Sequence, residues 1–413
     1  MNKILTSVEI PTGNPEYLRF KYNDNSYQEY PITNNRPETS IIYGGDLDNG
    51  ERKVCKDDCV YYLIENDEQI SSRHRGSDED HYSNFEHCIF LKDIRFHGDT
   101  FVEVTFDGAI FNEKATFIDA TFKEGVSFNS AQFTKFTKFD IAKFNKETSF
   151  NLAKFNKGVS FNSAEFSGEV KFLGTIFNDE VKFFDTIFND EVKFLDTIFN
   201  DRVDFGVQTV SNNKSFTDIL YLPKFSKKVD FTGAIFNNLL NFPDVENINL
   251  DLKHTIIDRM GYDNIKFSSD NRETFLTLKN VALKQNDQIK ALEFHTQEYQ
   301  IHLKALRENK TNKNLSDRFV LTFESWVSAF GTNVILSIMR FVGVVMLFYV
   351  LINGFNYDAK TIVDFVSPLS YDIDKIFSSV SDVDRYLFFF YKILQVVLIY
   401  EMIKSFRKFS RTL

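Results

Sequence analysis

The sequence predicts a β-solenoid followed by an α-helical linker and a two-helix transmembrane hairpin. Three observations carry that expectation. From residue 106 to residue 205 a phenylalanine returns every 11 residues, and a second set follows five residues behind the first. Residues 272–309 place apolar side chains at alternating spacings of four and three, which is a helical period. Residues 334–354 and 386–404 are apolar runs of about 20 residues, enough to cross a bilayer.

The first ladder is Phe106, Phe117, Phe128, Phe139, Phe150, Phe161, Phe172, Phe183, Phe194 and Phe205; the second is Phe111, Phe122, Phe133, Phe144, Phe155, Phe166, Phe177, Phe188 and Phe199. Two residues before each second-ladder ring stands a small residue: Ala109, Ala120, Ala131, Ala142, Ala153 and Ala164, then Thr175, Thr186 and Thr197. Val, Ala or Thr precedes each first-ladder ring in the same way, from Val104 to Val203. Side chains alternate across a strand, so small-x-Phe reads as a three-residue strand with both ends facing inward. The corners between, such as Asn129-Ser130 and Asn178-Asp179-Glu180, carry turn chemistry. A chain that turns after each short strand must coil, stacking its turns at about 4.8 Å. Burial of these rings, at roughly 1.5 to 3 kcal/mol each, drives the folding.

The repeat resembles the pentapeptide-repeat proteins, in a Phe-rich variant with one residue added at alternate corners. The resemblance implies a right-handed quadrilateral β-helix with a 22-residue coil. The period breaks from Gly206 to Lys224 and resumes at Phe225, Val229-x-Phe231, Ala234-x-Phe236 and Phe242, as a loop bulging from one coil would make it do.

Four regions follow: a small β-rich cap over 1–85, the β-helix over 86–250, a helical linker over 251–315 and a membrane domain over 316–413. The cap is polar with short β-like runs such as Val60 to Ile64. Its Asp46-x-Asp48-x-Gly50 lacks the closing Glu of a calcium loop and reads as a turn. Cys55, Cys59 and Cys88 make no disulfide framework, and with His87 they lack a zinc spacing, so reduced thiols are expected. The start of the chain turns polar after Ile10, which argues against a signal peptide. The net charge is −10, but the coils from 101 to 205 hold 17 acidic against 12 basic residues. A cluster of Lys135, Lys138, Lys143, Lys146, Lys154 and Lys157 argues against a mimic of DNA, and the buried aromatics argue against nucleic-acid binding.

In the linker, Leu278, Ala282, Gln285, Ile289, Leu292, Thr296, Tyr299, Leu303 and Leu306 form a heptad seam, suggesting a homo-oligomer through 278–306 or a cap on the solenoid end. His295, Glu298 and His302 lie on adjacent turns and read as a solvated face, not a metal site; no metal or cofactor is expected.

The membrane domain carries Arg340, Lys392, Gln395 and Glu401 inside its two spans. Intramembrane charges are costly and usually paired. Arg340 and Glu401, both near the cytosolic end of the hairpin, either pair with each other or both snorkel to the inner surface, and Lys392 would need headgroups or a water-filled path between subunits. Basic residues, Lys304, Arg307, Lys310, Lys313 and Arg318 before the spans and Lys404, Arg407, Lys408 and Arg411 after them, put both ends in the cytosol. The loop 355–385, with six Asp, is then outside an inner membrane. Residues 319–330, with Trp326, suit the inner interface. A soluble pentapeptide-repeat domain before two spans is similar to a bacterial membrane group whose ending resembles the pore module of two-helix potassium channels, and residues 400–411 are similar to that group's tail. No Gly follows Gly354, so the backbone filter that selects potassium is absent.

The chain holds none of the common phosphate-binding, dinucleotide, serine-hydrolase or zinc-protease motifs. Two functions are therefore expected: a non-enzymatic scaffold whose β-helix or cap binds a protein partner while two helices tether it to the bilayer, or an oligomeric effector that forms a non-selective ion pore, as in phage defence.

Overall fold

Small-x-Phe folds as a pair of residues per strand, one residue shorter than the sequence suggests, because the corner claims the rest. In the first ladder the strand is the small residue and its follower, as in Ala115–Thr116; in the second it is the follower and the ring, as in Ile110–Phe111. The strands stack in four parallel columns with a 22-residue offset, seen in Ile110↔Gln132, Thr116↔Lys138, Phe122↔Phe144 and Val126↔Thr148. The result is a four-sided β-solenoid of about eight turns. The computed structural model describes residues 3–33, 52–56, 59–65, 82–206, 223–242, 247–262, 265–308, 314–355, 358–377 and 380–410. The Asp46–Gly50 turn, most of the 206–224 break and the basic residues Lys310, Lys313 and Arg411 lie outside them. The chain divides into two compact units, 1–269 and 270–413.

All nineteen ladder rings are buried. Rings one coil apart stack face to face, as in Phe106–Phe128 (4.8 Å, 2°) and Phe133–Phe155 (4.6 Å, 0°), while neighbours around the coil meet alternately tilted, as in Phe106–Phe111 (47°), and edge to face, as in Phe111–Phe117 (79°). The change from Ala to Thr along the inner column is accommodated because each hydroxyl finds a carbonyl of the preceding coil: Thr175 donates to Phe150 O (2.7 Å), Thr186 to Phe161 O (2.9 Å) and Thr197 to Phe172 O (2.6 Å). Two corners of each coil, 11 residues apart, need a left-handed residue. Gly108, Ser130, Gly174 and Asp196 fill these positions at small cost, whereas Ile141 and Leu152, at φ 62° and 59°, hold them under strain.

The solenoid extends beyond the sequence ladders at both ends. Phe85, Phe90, Phe96 and Phe101 form a further coil, stacking on Phe106, Phe111, Phe117 and Phe122 with a 21-residue offset because the corner from Phe101 to Phe106 is one residue short. After the break, Ile198 pairs with Ile235, and Phe194, Phe199 and Phe205 stack on Phe231, Phe236 and Phe242. The insertion therefore sits between adjacent coils without interrupting the ring stacks. Strands continue to Lys266–Ser268, past the expected boundary at 250, because Ile248, Leu250, Ile257 and Phe267 keep the core filled where the phenylalanines thin out.

The expected lysine cluster is dispersed. Lys138, Lys143 and Lys154 belong to three different columns. Opposite charges instead alternate up one face, where Lys171 meets Glu147 at 2.7 Å and Glu169 at 3.1 Å, and Lys193 also reaches Glu169.

At the N-terminal end β1 (Leu5–Glu9), β2 (Tyr17–Tyr22) and β3 (Tyr27–Thr33) form an antiparallel meander, joined through β4 (Lys53–Lys56) to β5 (Cys59–Ile64). β5 turns parallel and pairs Tyr62↔Cys88 and Ile64↔Phe90, so the meander grows out of the first solenoid coil. Cys55, Cys59 and Cys88 are free thiols.

The single heptad helix expected over 272–309 is instead two helices, α1 (Arg272–Lys284) and α2 (Gln288–Glu308). Asn286, at φ 61°, breaks the helix, and Asp287 caps the next one through Lys290 N (3.0 Å). The buried residues of α2 are Ala291, Phe294, Glu298, Leu303 and Leu306, so the expected seam holds at its two ends, where Leu278, Ala282, Leu303 and Leu306 are buried, and fails between them, where Gln285 and Ile289 are exposed and Leu292, Thr296 and Tyr299 only half-buried. Glu298 joins the pair: Arg272 reaches it at 2.9 Å and Lys279 at 2.6 Å. Burial alone would raise this carboxyl, but the hydrogen bonds from Lys279 and Arg272 outweigh it and hold it below the ordinary 4.5. Because the folded value is depressed, the stabilisation is present above 4.5 and is lost as pH falls through the lower folded value. Glu298→Gln is expected to cost about 2 to 3 kcal/mol at neutral pH. In urea unfolding, the gap between variant and parent should close as the pH drops below the carboxylate range. A gap independent of pH would refute this account.

Candidate functional site

The second unit is built around α3 (Leu315–Ser328), α4 (Val334–Asn353), α5 (Ala359–Val366), α6 (Ile373–Ile376) and α7 (Asp382–Ser410). Local sequence sets each start. Asn333 Oδ1 caps α4 at Leu336 N (2.9 Å), and Asp358 caps α5 at Thr361 N (2.9 Å). Ser381 and Asp384 bond reciprocally at the head of α7, the pattern of a capping box. α4 and residues Asp382–Phe406 of α7 are long and apolar enough to cross a membrane. Their outer faces expose Ile335, Met339, Leu347 and Leu351 on α4 and Phe389, Phe390, Val396 and Tyr400 on α7. α3 likewise exposes Phe319, Val320 and Trp326.

The stretch expected as an acidic loop over 355–385 is in part a folded insert, since it contains α5 and α6. Phe365 of α5 is buried among Tyr349 of α4, Phe377, and Phe388 and Tyr391 of α7, stacking on Tyr391 at 4.4 Å and 9°. That anchor brings the last carbonyls of α5 against α7. Lys392 Nζ donates to Phe365 O at 3.0 Å and to Ser367 O at 2.7 Å, Gln395 Nε2 donates to Val366 O, and Tyr391 Oη donates to Phe365 O at 3.3 Å. A helix leaves its final carbonyls without intrahelical partners and carries negative potential there, so an ammonium is the complementary group. Lys392 is 6 % and Gln395 1 % exposed. The main chain, rather than headgroups or water, thus supplies the partners of Lys392. Gln395 Oε1 has no hydrogen-bond partner.

Arg340 and Glu401 do not meet. The guanidinium of Arg340 lies over the Trp326 ring at 4.9 Å on an exposed face of α4. Glu401, 4 % exposed, accepts from Ser328 Oγ at 2.8 Å and has Lys404 Nζ at 3.7 Å. Ser328 Oγ in turn accepts from Gly331 N at 2.8 Å, so Glu401 braces the tight turn from α3 into α4. Lys404 also pairs with Glu324, and Ser337 and Ser405 share a hydrogen bond of 2.9 Å. The four polar residues therefore form two internal braces, Lys392 with Gln395 at the α5 end and Glu401 at the α3–α4 turn, with Arg340 apart from both. Sequence reasoning did not find the partners Phe365, Val366 and Ser367, which act through backbone oxygens, or Ser328.

The face expected to be solvated at His295, Glu298 and His302 is in part closed, since Glu298 is buried with both oxygens taken by Arg272 and Lys279, and His295 Nδ1 lies 3.6 Å from Glu298 Oε2. Among the described residues no three His, Cys, Asp or Glu side chains are grouped to hold a metal ion.

The family model "Pentapeptide repeats (9 copies)" matches residues 81–132, the first coils of the solenoid, including the Phe85–Phe101 coil. Repeat type and solenoid thus agree over that stretch. No curated protein and no solved structure matches the chain.

Proposed function

We propose that the protein is a non-enzymatic, membrane-anchored scaffold, in which the solenoid and its N-terminal meander present a surface to a protein partner and α4 and α7 tether it to the bilayer. The observation that carries this reading is the division of α4 and α7 into an outer face that is apolar apart from Arg340, which lies over Trp326, and an interior that encloses Lys392, Gln395 and Glu401. Lipid suits the first, and the second satisfies Lys392 and Glu401 within one chain, so a bare anchor tolerates them. The basic residues flanking the hairpin favour cytosolic ends at an inner membrane with α5 and α6 on the far side. Mixed charge on the solenoid faces suits a protein partner better than nucleic acid.

A second reading, several copies assembling a non-selective ion pore, is supported by α5, a short helix held between two long ones as in two-helix channels. Against it, the carbonyls at the end of α5 are already occupied by a side-chain cation.

Ion flux from liposomes decides between them, with the full-length protein inserted and Lys392→Leu and Glu401→Ala as comparators. The scaffold reading expects flux no greater than from empty liposomes at any protein density. Flux from the parent protein that both substitutions change would replace the anchor with a pore.

A further inference from the structure

A cleft of about 510 Å³ lies between the N-terminal meander and one face of the solenoid. Its floor is a single column of outward side chains, one per coil: Ile110, Gln132, Lys154, Ile176 and Ile198. β1, β2 and the β4–β5 hairpin make the walls, contributing Lys3, Phe20, Tyr22, Lys56 and Tyr61. These walls are fixed to the floor. Val8 N donates to Asn112 Oδ1, and Asn156 Nδ2 donates to Leu5 O. Asn156 is itself the end of a side-chain ladder in which Asn178 donates to it at 3.2 Å, Asn200 to Asn178 at 2.8 Å and Asn237 to Asn200 at 2.8 Å.

We propose that this cleft binds a small ring-bearing organic phosphate of nucleotide size. Its volume lies in the range of ligand pockets that enclose such molecules. Among the described residues three lysines line it and no carboxylate does, Lys3 also pairing with Asp24 at 3.7 Å just outside the lining, in a chain where acidic residues outnumber basic ones by 58 to 48. An anion is therefore the ligand the field selects. The ammonium groups sit beside aromatic faces, Lys56 at 5.5 Å from the Phe20 ring and Lys3 at 5.6 Å from the Tyr22 ring, which places phosphate donors next to stacking surfaces. The amide of Gln132 lines the same space, and Asn178 and Asn200 keep one N–H and one lone pair each beyond the ladder for the edge of a heterocycle, while Ile176 and Ile198 supply an apolar bed. A free inorganic anion would leave that bed and the rings unused.

Isothermal titration of the detergent-solubilised full chain with ATP, GTP and cyclic di-AMP tests the proposal, with laurate as an anion that has an apolar body but no ring or phosphate. Saturable binding of at least one nucleotide is expected. Lys56→Glu and Lys154→Glu should each weaken it about tenfold or more. Ile198→Trp, which fills the floor, should abolish it, and Lys143→Glu, in a different column, should leave it unchanged. Lys154 is exposed, so its variant reports on the site even if Lys56→Glu disturbs the hairpin. Heat from laurate alone, no heat from any nucleotide, or nucleotide binding indifferent to Lys154→Glu and Ile198→Trp would overturn the assignment.

Discussion

Replacing Phe150 with Ala is expected to cost about 3 to 5 kcal/mol of folding free energy, the range for truncating a fully buried aromatic residue. Phe150 has no exposed surface. Its ring stacks on Phe128 at 4.9 Å and on Phe172 at 5.0 Å, and meets Phe139 and Phe161 edge to face at 5.5 and 5.7 Å. With the tilted contact to Phe155 at 6.2 Å, five aromatic contacts are lost at once, and the site has little means of closing. The backbone on either side is held to the next coil by Phe150 N to Lys171 O (2.7 Å) and Leu152 N to Leu173 O (2.7 Å), so the walls of the cavity cannot collapse inward. A solenoid is stabilised by nearest-neighbour interfaces, which makes a mid-stack defect weaken the coil above and the coil below together. Phe136, on a corner and 38 % exposed, supplies the contrast: Phe136→Ala should cost under about 1 kcal/mol. Chemical denaturation of both variants measures the difference. Equal losses would mean that the ladder position carries no special weight.

The ladders were legible because burial here depends on one residue type at one period, and nothing distant is needed to read it. The expected β-helix from 86 covers all but the first ring of the Phe85, Phe90, Phe96 and Phe101 coil, but the ladder count does not reach it, because the corner before Phe106 is one residue short and the phase of an 11-residue count is lost across it. The linker shows the opposite error. Its heptad spacing runs through Asn286-Asp287, whose preference for a left-handed residue followed by a helix cap outweighs the seam and splits one helix into two. In the second unit the polar residues themselves stood out, but their partners did not. Arg340 and Glu401 were matched by charge and depth alone. The structure gives Glu401 to Ser328, which lies 73 residues away, and Arg340 to an indole ring. A backbone carbonyl that accepts a lysine carries no residue signature, so the end of α5 was invisible as a site. The cleft floor was similarly hidden, since Ile110, Ile176 and Ile198 occupy the outward position of the repeat, which a core-directed reading sets aside.

Lys392→Met should destabilise the second unit by about 3 kcal/mol, because it keeps the length of the side chain while removing the donor to one buried and one part-buried carbonyl. Phe365 O keeps a bond from Tyr391 Oη at 3.3 Å, whereas Ser367 O is left without the 2.7 Å bond from the ammonium. Away from water such a group cannot be repaired by solvent, and the negative end of α5 loses its counter-charge as well. Gln395→Leu should be milder, about 1 kcal/mol: it frees Val366 O but also removes Oε1, a buried acceptor that has no partner in the parent protein. The difference separates a charged brace from a neutral one. Hydrogen exchange on the detergent-solubilised chain should localise the effect, with the amides of α5 opening in Lys392→Met while those of α4 stay protected, since the α4 helix keeps its own backbone bonds. The same variant then sharpens the liposome experiment, for if the ammonium is what keeps the α5 carbonyls from meeting mobile cations, its removal is where a leak would first appear. Unchanged exchange and unchanged unfolding in Lys392→Met would mean that the stacking of Phe365 on Tyr391 holds α5 by itself, and that the lysine is a tolerated charge with no structural duty.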